Sequence, residues 1–134
     1  MRAARGQALI ELALCAPLVV LLALGTVASV QVASARSGLE AATQAAAEVA
    51  ARAPNGKTAI AAANVRFHAV IAGYPVRSAD LVLSVGDFES RGNVTASSSA
   101  SIDIAWAAFL LLPSRVTLRS QVTLPLESWR SHTA

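Results

Sequence analysis

Glu11 is the residue whose position most needs a chemical reason. It follows Gly6 by five positions and stands at the head of a long apolar run, with Arg2 and Arg5 before it. An ionised carboxylate deep in a bilayer costs roughly 2.5–3.5 kcal/mol even on lenient insertion scales, and less near the interface. A cation at the same depth would relieve that cost. Cleavage after Gly6 would create one, because the new N-terminus at Gln7 is an α-ammonium one helical turn from Glu11. Such a pair could form within one chain or between neighbours. The plainer alternative is a boundary carboxylate that the membrane interface tolerates.

The other reactive side chains form no constellation. His68 and His132 are the two histidines, and Cys15 is the single cysteine. There is no nucleophile elbow, phosphate-binding glycine loop, metal-ligand cluster or pair of carboxylates at useful spacing. Asp80, Asp87, Glu89 and Asp103 fall at expected strand ends and wet faces, where carboxylates are ordinarily solvated. No catalytic residue, metal or cofactor is expected, and the chain does not read as an enzyme.

The element that must position Glu11 is a helix. From Leu12 to Val30 run nineteen residues without a formal charge, LALCAPLVVLLALGTVASV. A helix of that length is about 28 Å long, near the thickness of the bilayer hydrocarbon. Too little other protein exists to cover such a run on all sides, since the chain has 134 residues. In lipid a helix satisfies its own backbone polar groups. The basic leader, free of acid, favours a cytoplasmic N-terminus with the bulk of the chain on the other side.

Composition agrees and narrows the class. Hydrophobic residues make up 54%, charged residues 14% and aromatic residues 4%, with a net charge of +3. These values exclude a disordered chain, a disulfide scaffold and a coiled coil rich in salt bridges. The positive surplus is too small and scattered for nucleic-acid binding. Three kinds of leader fit an apolar N-terminus. Leu14 before Cys15 excludes a lipoprotein signal, which needs a small residue there. Ala33-Ser34-Ala35 would serve as a small-x-small site for signal peptidase, although the apolar run is long for a secretory signal and Glu11 is out of place in one.

The third kind rests on Gly6 and Glu11. The stretch RGQALIELALCAPLVVLLALG resembles a type IV prepilin signal and, more narrowly, the N-terminal motif of the TadE-like family of tight-adherence (Flp-type) pilus proteins. The resemblance covers roughly residues 5–50. It implies that a prepilin peptidase cuts between Gly6 and Gln7, the narrow peptidase site accepting a residue with no side chain. It implies that Glu11, at the fifth mature position, pairs with the N-terminal amine of an adjacent subunit and sets register in an apolar bundle. Pro17 matches the family's proline and removes one helix hydrogen bond, which can kink or loosen the helix. Leu12 departs from the pattern, which usually has Phe or Tyr after the glutamate.

Beyond the span the helical pattern continues. Arg36, Glu40, Gln44, Glu48 and Arg52 make one polar stripe, and Leu39, Ala42, Ala46, Val49 and Ala53 an apolar face of mostly small residues. That face would pack either on its own domain or on neighbouring subunits. Pro54-Asn55-Gly56 breaks the helix. A second helix, about 57–72, carries Ile60, Ala63, Phe67, Val70 and Ile71 on one side. The period then changes to two, giving strands at about 79–88, 94–106 and 115–126, with a covered face and a wet one. The apolar segment 107–112 is too short to span a membrane, so it forms either a buried turn or an exposed contact patch.

The expectation is therefore an α+β chain: leader 1–6, transmembrane helix 7–35, and an extracytoplasmic pilin-like head 36–134 whose first helix is 36–53. It is expected to sit in the cytoplasmic membrane as a single-pass minor pilin-like protein. The expected partners are the prepilin peptidase, other pilin or pseudopilin subunits, the pilus assembly machinery and the lipid bilayer, with no nucleic acid. The alternatives are a small secreted protein cut after Ala35 and an uncleaved accessory protein of a secretion system.

Overall fold

A computed structural model describes residues 2–86 and 92–126. The elements are α1 (Arg2–Arg52), α2 (Gly56–Ile71), β1 (Ser78–Val85), β2 (Asn93–Asp103), a 3₁₀ turn (Ala105–Leu110) and β3 (Arg115–Pro125). The three strands form one antiparallel sheet in the order β1-β2-β3. This is the α+β composition that the change of period implies. The chain divides into two compact units, the first ending at Val32 and the second beginning at Ala33.

In the first unit α1 is apolar around its whole circumference. Leu12, Leu14, Leu18, Val19, Val20 and Leu22 are all exposed, so no protein covers them. This is the one helix among the described residues long and apolar enough to cross a membrane. Its hydroxyls are internally satisfied: Thr26 Oγ1 donates to the Leu22 carbonyl at 2.9 Å and Ser29 Oγ to that of Gly25 at 2.8 Å. Such back-bonding leaves no unmet donor in hydrocarbon. The helix begins at Arg2, earlier than the Gln7 start of the expected span. Arg and Ala are strong helix formers, and one weak residue, Gly6, does not break the turn.

In the second unit α1 changes character. Ala35, Gly38, Leu39, Ala42, Thr43, Ala46, Ala47 and Ala50 are buried, in steps of three and one. This two-row stripe is the buried face of a 3.6-residue helix. It is wider than the expected one and rotated, so Val49 is only half-buried. The stripe packs within its own unit. Leu39, Ala42, Ala46 and Ala50 share one core with Ala59, Ala63, Phe67 and Ile71 of α2 and Val94 and Ala100 of β2. The polar stripe is exposed, with Arg36 paired to Glu40 at 3.1 Å and Gln44 to Glu48 at 3.0 Å.

Asn55 caps α2, its Oδ1 accepting from the Thr58 N–H at 2.9 Å. The buried side of α2 is Ala59, Ala63, Phe67 and Ile71. Ile60, expected there, is 45% exposed because it lies about 100° around the helix from Ala59. His68 is exposed beside the Phe67 ring.

The central strand β2 buries Val94, Ala96, Ser98, Ala100 and Ile102, while Thr95, Ser97, Ser99, Ser101 and Asp103 are half-exposed. It ends at Asp103 rather than Trp106, because the chain turns into the 3₁₀ segment where Ile104 N–H bonds to the Ser114 carbonyl. Strand β1 ends at Val85, and residues 87–91, which include Asp87 and Glu89, lie outside the described residues. Ser98 is the polar exception on the covered face. Its hydroxyl hydrogen-bonds to that of Thr43 on α1, and Thr43 also donates to the Leu39 carbonyl. The two buried hydroxyls thus satisfy each other.

At one end of the sheet Asp103 accepts from Arg77 Nη1 and from Arg115 Nε, the latter at 3.3 Å. Arg77 immediately precedes β1 and Arg115 opens β3, so the carboxylate ties all three strand ends together. The Arg77 hydrogen bond, followed by that of Arg115 and their charges, holds the Asp103 carboxyl below its ordinary value despite partial burial.

Two outcomes follow. A Cβ on Gly38 would lie 2.3–2.6 Å from the Tyr74 ring. Gly38→Val should therefore destabilise the second unit by roughly 1–3 kcal/mol through overpacking, measured by thermal unfolding of the detergent-solubilised chain. A lowered folded-state pKa stabilises above the unfolded value and loses that contribution as pH falls through the folded one. The melting temperature should thus drop on acidification below about pH 4, and Asp103→Asn should flatten that dependence.

Candidate processing and assembly site

The four residues singled out on the N-terminal segment, Gly6, Gln7, Glu11 and Pro17, all lie on α1 within the first unit. Gly6 and Gln7 stand in its opening turns, where helices fray at little cost. Nothing lies within 4 Å of a Cβ built on Gly6. Packing inside the chain therefore does not require glycine there, although glycine weakens a helix interior by about 1 kcal/mol relative to Ala.

Gln7 and Glu11 are separated by one helical turn, a rise of about 6 Å. A helical side chain leans toward the N-terminus, so the Glu11 carboxylate points back toward the turn that contains Gln7. In the intact chain the nitrogen of Gln7 is an uncharged peptide amide. Glu11 is exposed, and among the described residues it has no ion pair or side-chain hydrogen bond. Its neighbours Leu9, Ile10, Leu12 and Leu14 are exposed apolar side chains. The site is thus a carboxylate at the mouth of an apolar rod, with the position for a matching cation one turn away and filled by an amide. A peptide-bond cut at Gly6 would turn that amide into the cation.

Pro17 is the one proline inside α1, and helix continues on both sides of it. The missing N–H removes the bond to the carbonyl four residues earlier. Cys15 is exposed and free. Among the described residues no group of three or more His, Cys, Asp or Glu could hold a metal ion, and His132 lies outside them.

Sequence patterning left open whether the segment 107–112 is buried or exposed. The structure buries Ala107 and exposes Phe109, Leu110, Leu111 and Leu112. Within the 3₁₀ turn Ala107 is buried and Trp106 half-buried, and the large side chains from Phe109 onward are left outside.

Residues 6–48 match the family model described as TadE-like protein. No curated protein and no solved structure matches the chain.

Proposed function

We propose, starting from the match of residues 6–48 to the TadE-like family model, that the chain is a minor pilin-like protein of a tight-adherence pilus. A prepilin peptidase cuts it after Gly6, and the mature chain takes part in assembling a pilus for surface adhesion. It is anchored by α1 as a single pass, with the leader in the cytoplasm and residues from about 36 onward outside.

The observation that carries this reading is the unpartnered Glu11 among exposed apolar side chains, one turn from Gln7. Cleavage supplies the missing positive charge, and the helix N-terminus adds its own partial positive charge beside the carboxylate. An adjacent subunit that offers its α-ammonium at the same depth would pair with Glu11 and select one register, since any slip leaves a charge unpaired in hydrocarbon. Openness around Gly6 supports a glycine kept for an external reason, the narrow peptidase site. Pro17 gives the rod a point of weaker backbone bonding as it moves from bilayer to assembly. The role is structural, with no cofactor. Cleavage after Ala35 is less well supported, because it would cut α1 inside its buried stripe, where Ala35 is fully covered.

Intact-mass analysis of protein from its native membranes tests the reading. The expected product lacks residues 1–6 and begins at Gln7; a chain beginning at Met1 or at Arg36 overturns it. Gly6→Leu should abolish cleavage, because a branched side chain then faces the peptidase beside the scissile bond. Glu11→Ala should be processed normally yet enter pili poorly, and normal piliation by that variant would remove the assembly role.

A further inference from the structure

We propose that the apolar tip between β2 and β3 is a membrane-surface anchor that inserts shallowly into anionic lipid. Phe109 is 91% exposed and Leu111 96%, with Leu110 and Leu112 also exposed. Four contiguous large apolar side chains in water form a contact patch rather than scattered exposure.

The tip is held open by its backbone. Ile104 N–H bonds to the Ser114 carbonyl at 2.6 Å and closes its base, while Leu112 N–H bonds to the Ala107 carbonyl at 3.1 Å. Leu111 has φ 57°, the one non-glycine residue with positive φ among the described residues. The left-handed region is unfavourable for a bulky side chain, yet here it carries a leucine and turns it fully outward. In the same turn the indole Nε1–H of Trp106 is buried without a hydrogen-bond partner among the described residues. A non-glycine residue held in the left-handed region, as Leu111 is, stores strain of the kind that clusters at ligand clamps and other functional sites.

Charge selects the occupant. At the base of the tip Arg77 and Arg115 share the single carboxylate of Asp103, which leaves a net positive charge there, and from residue 104 to 126 the charged side chains are Arg115 and Arg119, with no acid. An aromatic and aliphatic tip flanked by arginine is the composition of segments that dip into the acyl boundary while their cations meet anionic headgroups. A second copy of this chain would offer few acids to meet these arginines, with eight in all. The inference rests on one part of the proposed function, the membrane anchor. Through that anchor the covalently joined second unit is held at high effective concentration near a bilayer.

The test uses the full-length chain with Cys15→Ser, reconstituted in nanodiscs of phosphatidylcholine and phosphatidylglycerol. One sample carries a nitroxide at Leu111→Cys and another at Val20→Cys. In lipid a nitroxide collides with oxygen more than with an aqueous nickel chelate, and in water the ranking reverses. The expected result is the lipid ranking at both positions, with the oxygen preference at position 111 severalfold weaker in discs of phosphatidylcholine alone. The water ranking at 111 with the lipid ranking at 20 overturns the tip proposal while leaving the anchor intact. Protection of 111 from both reagents identifies a protein contact, such as a second copy, and also overturns it. A water ranking at 20 means that the anchor itself is wrong, and the tip proposal falls with it. Equal immersion in both lipid mixtures overturns the anionic assignment.

Discussion

How closely other elements can approach α1 decides the rest of the second unit. Its buried stripe from Ala35 to Ala50 is almost entirely alanine and glycine, with Leu39 and Thr43 the only larger members. Small side chains bring the backbone near its neighbours, and a large ring then fills the space one of them leaves, as Tyr74 does over Gly38. With so few bulky groups, the core depends on Phe67, Leu39 and Val94 to occupy volume. The Thr43–Ser98 hydroxyl contact supplies direction where alanine supplies none, linking one point on α1 to one point on β2.

The same helix meets two different demands along its length. From Leu12 to Val30 its side chains carry no charge and are mostly exposed and apolar on every side, the arrangement that lipid favours. From Ala35 it is two-faced, with charge on one side and alanine on the other. Glu11 is the exception in the apolar part, just as Ser98 is the exception on the covered face of β2. Ser98 is answered inside the chain by Thr43, whereas Glu11 is not answered by any described residue. A buried polar group must be satisfied inside the chain, whereas a carboxylate at an apolar surface is left to whatever surrounds that surface. This contrast separates the two kinds of exception.

The exposed tip at Phe109–Leu112 is a third departure from the pattern, apolar where the surface should be polar. Like Glu11, it is a group that no described residue of this chain covers or pairs. Both sit on well-formed local structure, a helix in one case and a closed turn in the other.

The sequence alone determined the apolar span, the change of period from helix to strand, and the coincidence of Gly6, Glu11 and Pro17 in a stretch that resembles a TadE-like N-terminus. These are local signals, set by periodicity, by charge in an apolar run and by glycine or proline placement. The tertiary structure decided what depends on distance between remote residues. It rotated the buried stripe away from Val49 toward Thr43 and Ala50, turned Ile60 outward, and ended β2 at Asp103. It also joined Asp103 to Arg77 and Arg115 where the sequence suggested only a solvated acid. Spacing along one element cannot reveal such contacts, because the angle at which helices and sheet meet sets which side chains face each other. The orientation of residues 109–112 was undecidable for the same reason: an apolar run of that length fits a core or a surface equally well, and only the closed turn beneath it points it outward.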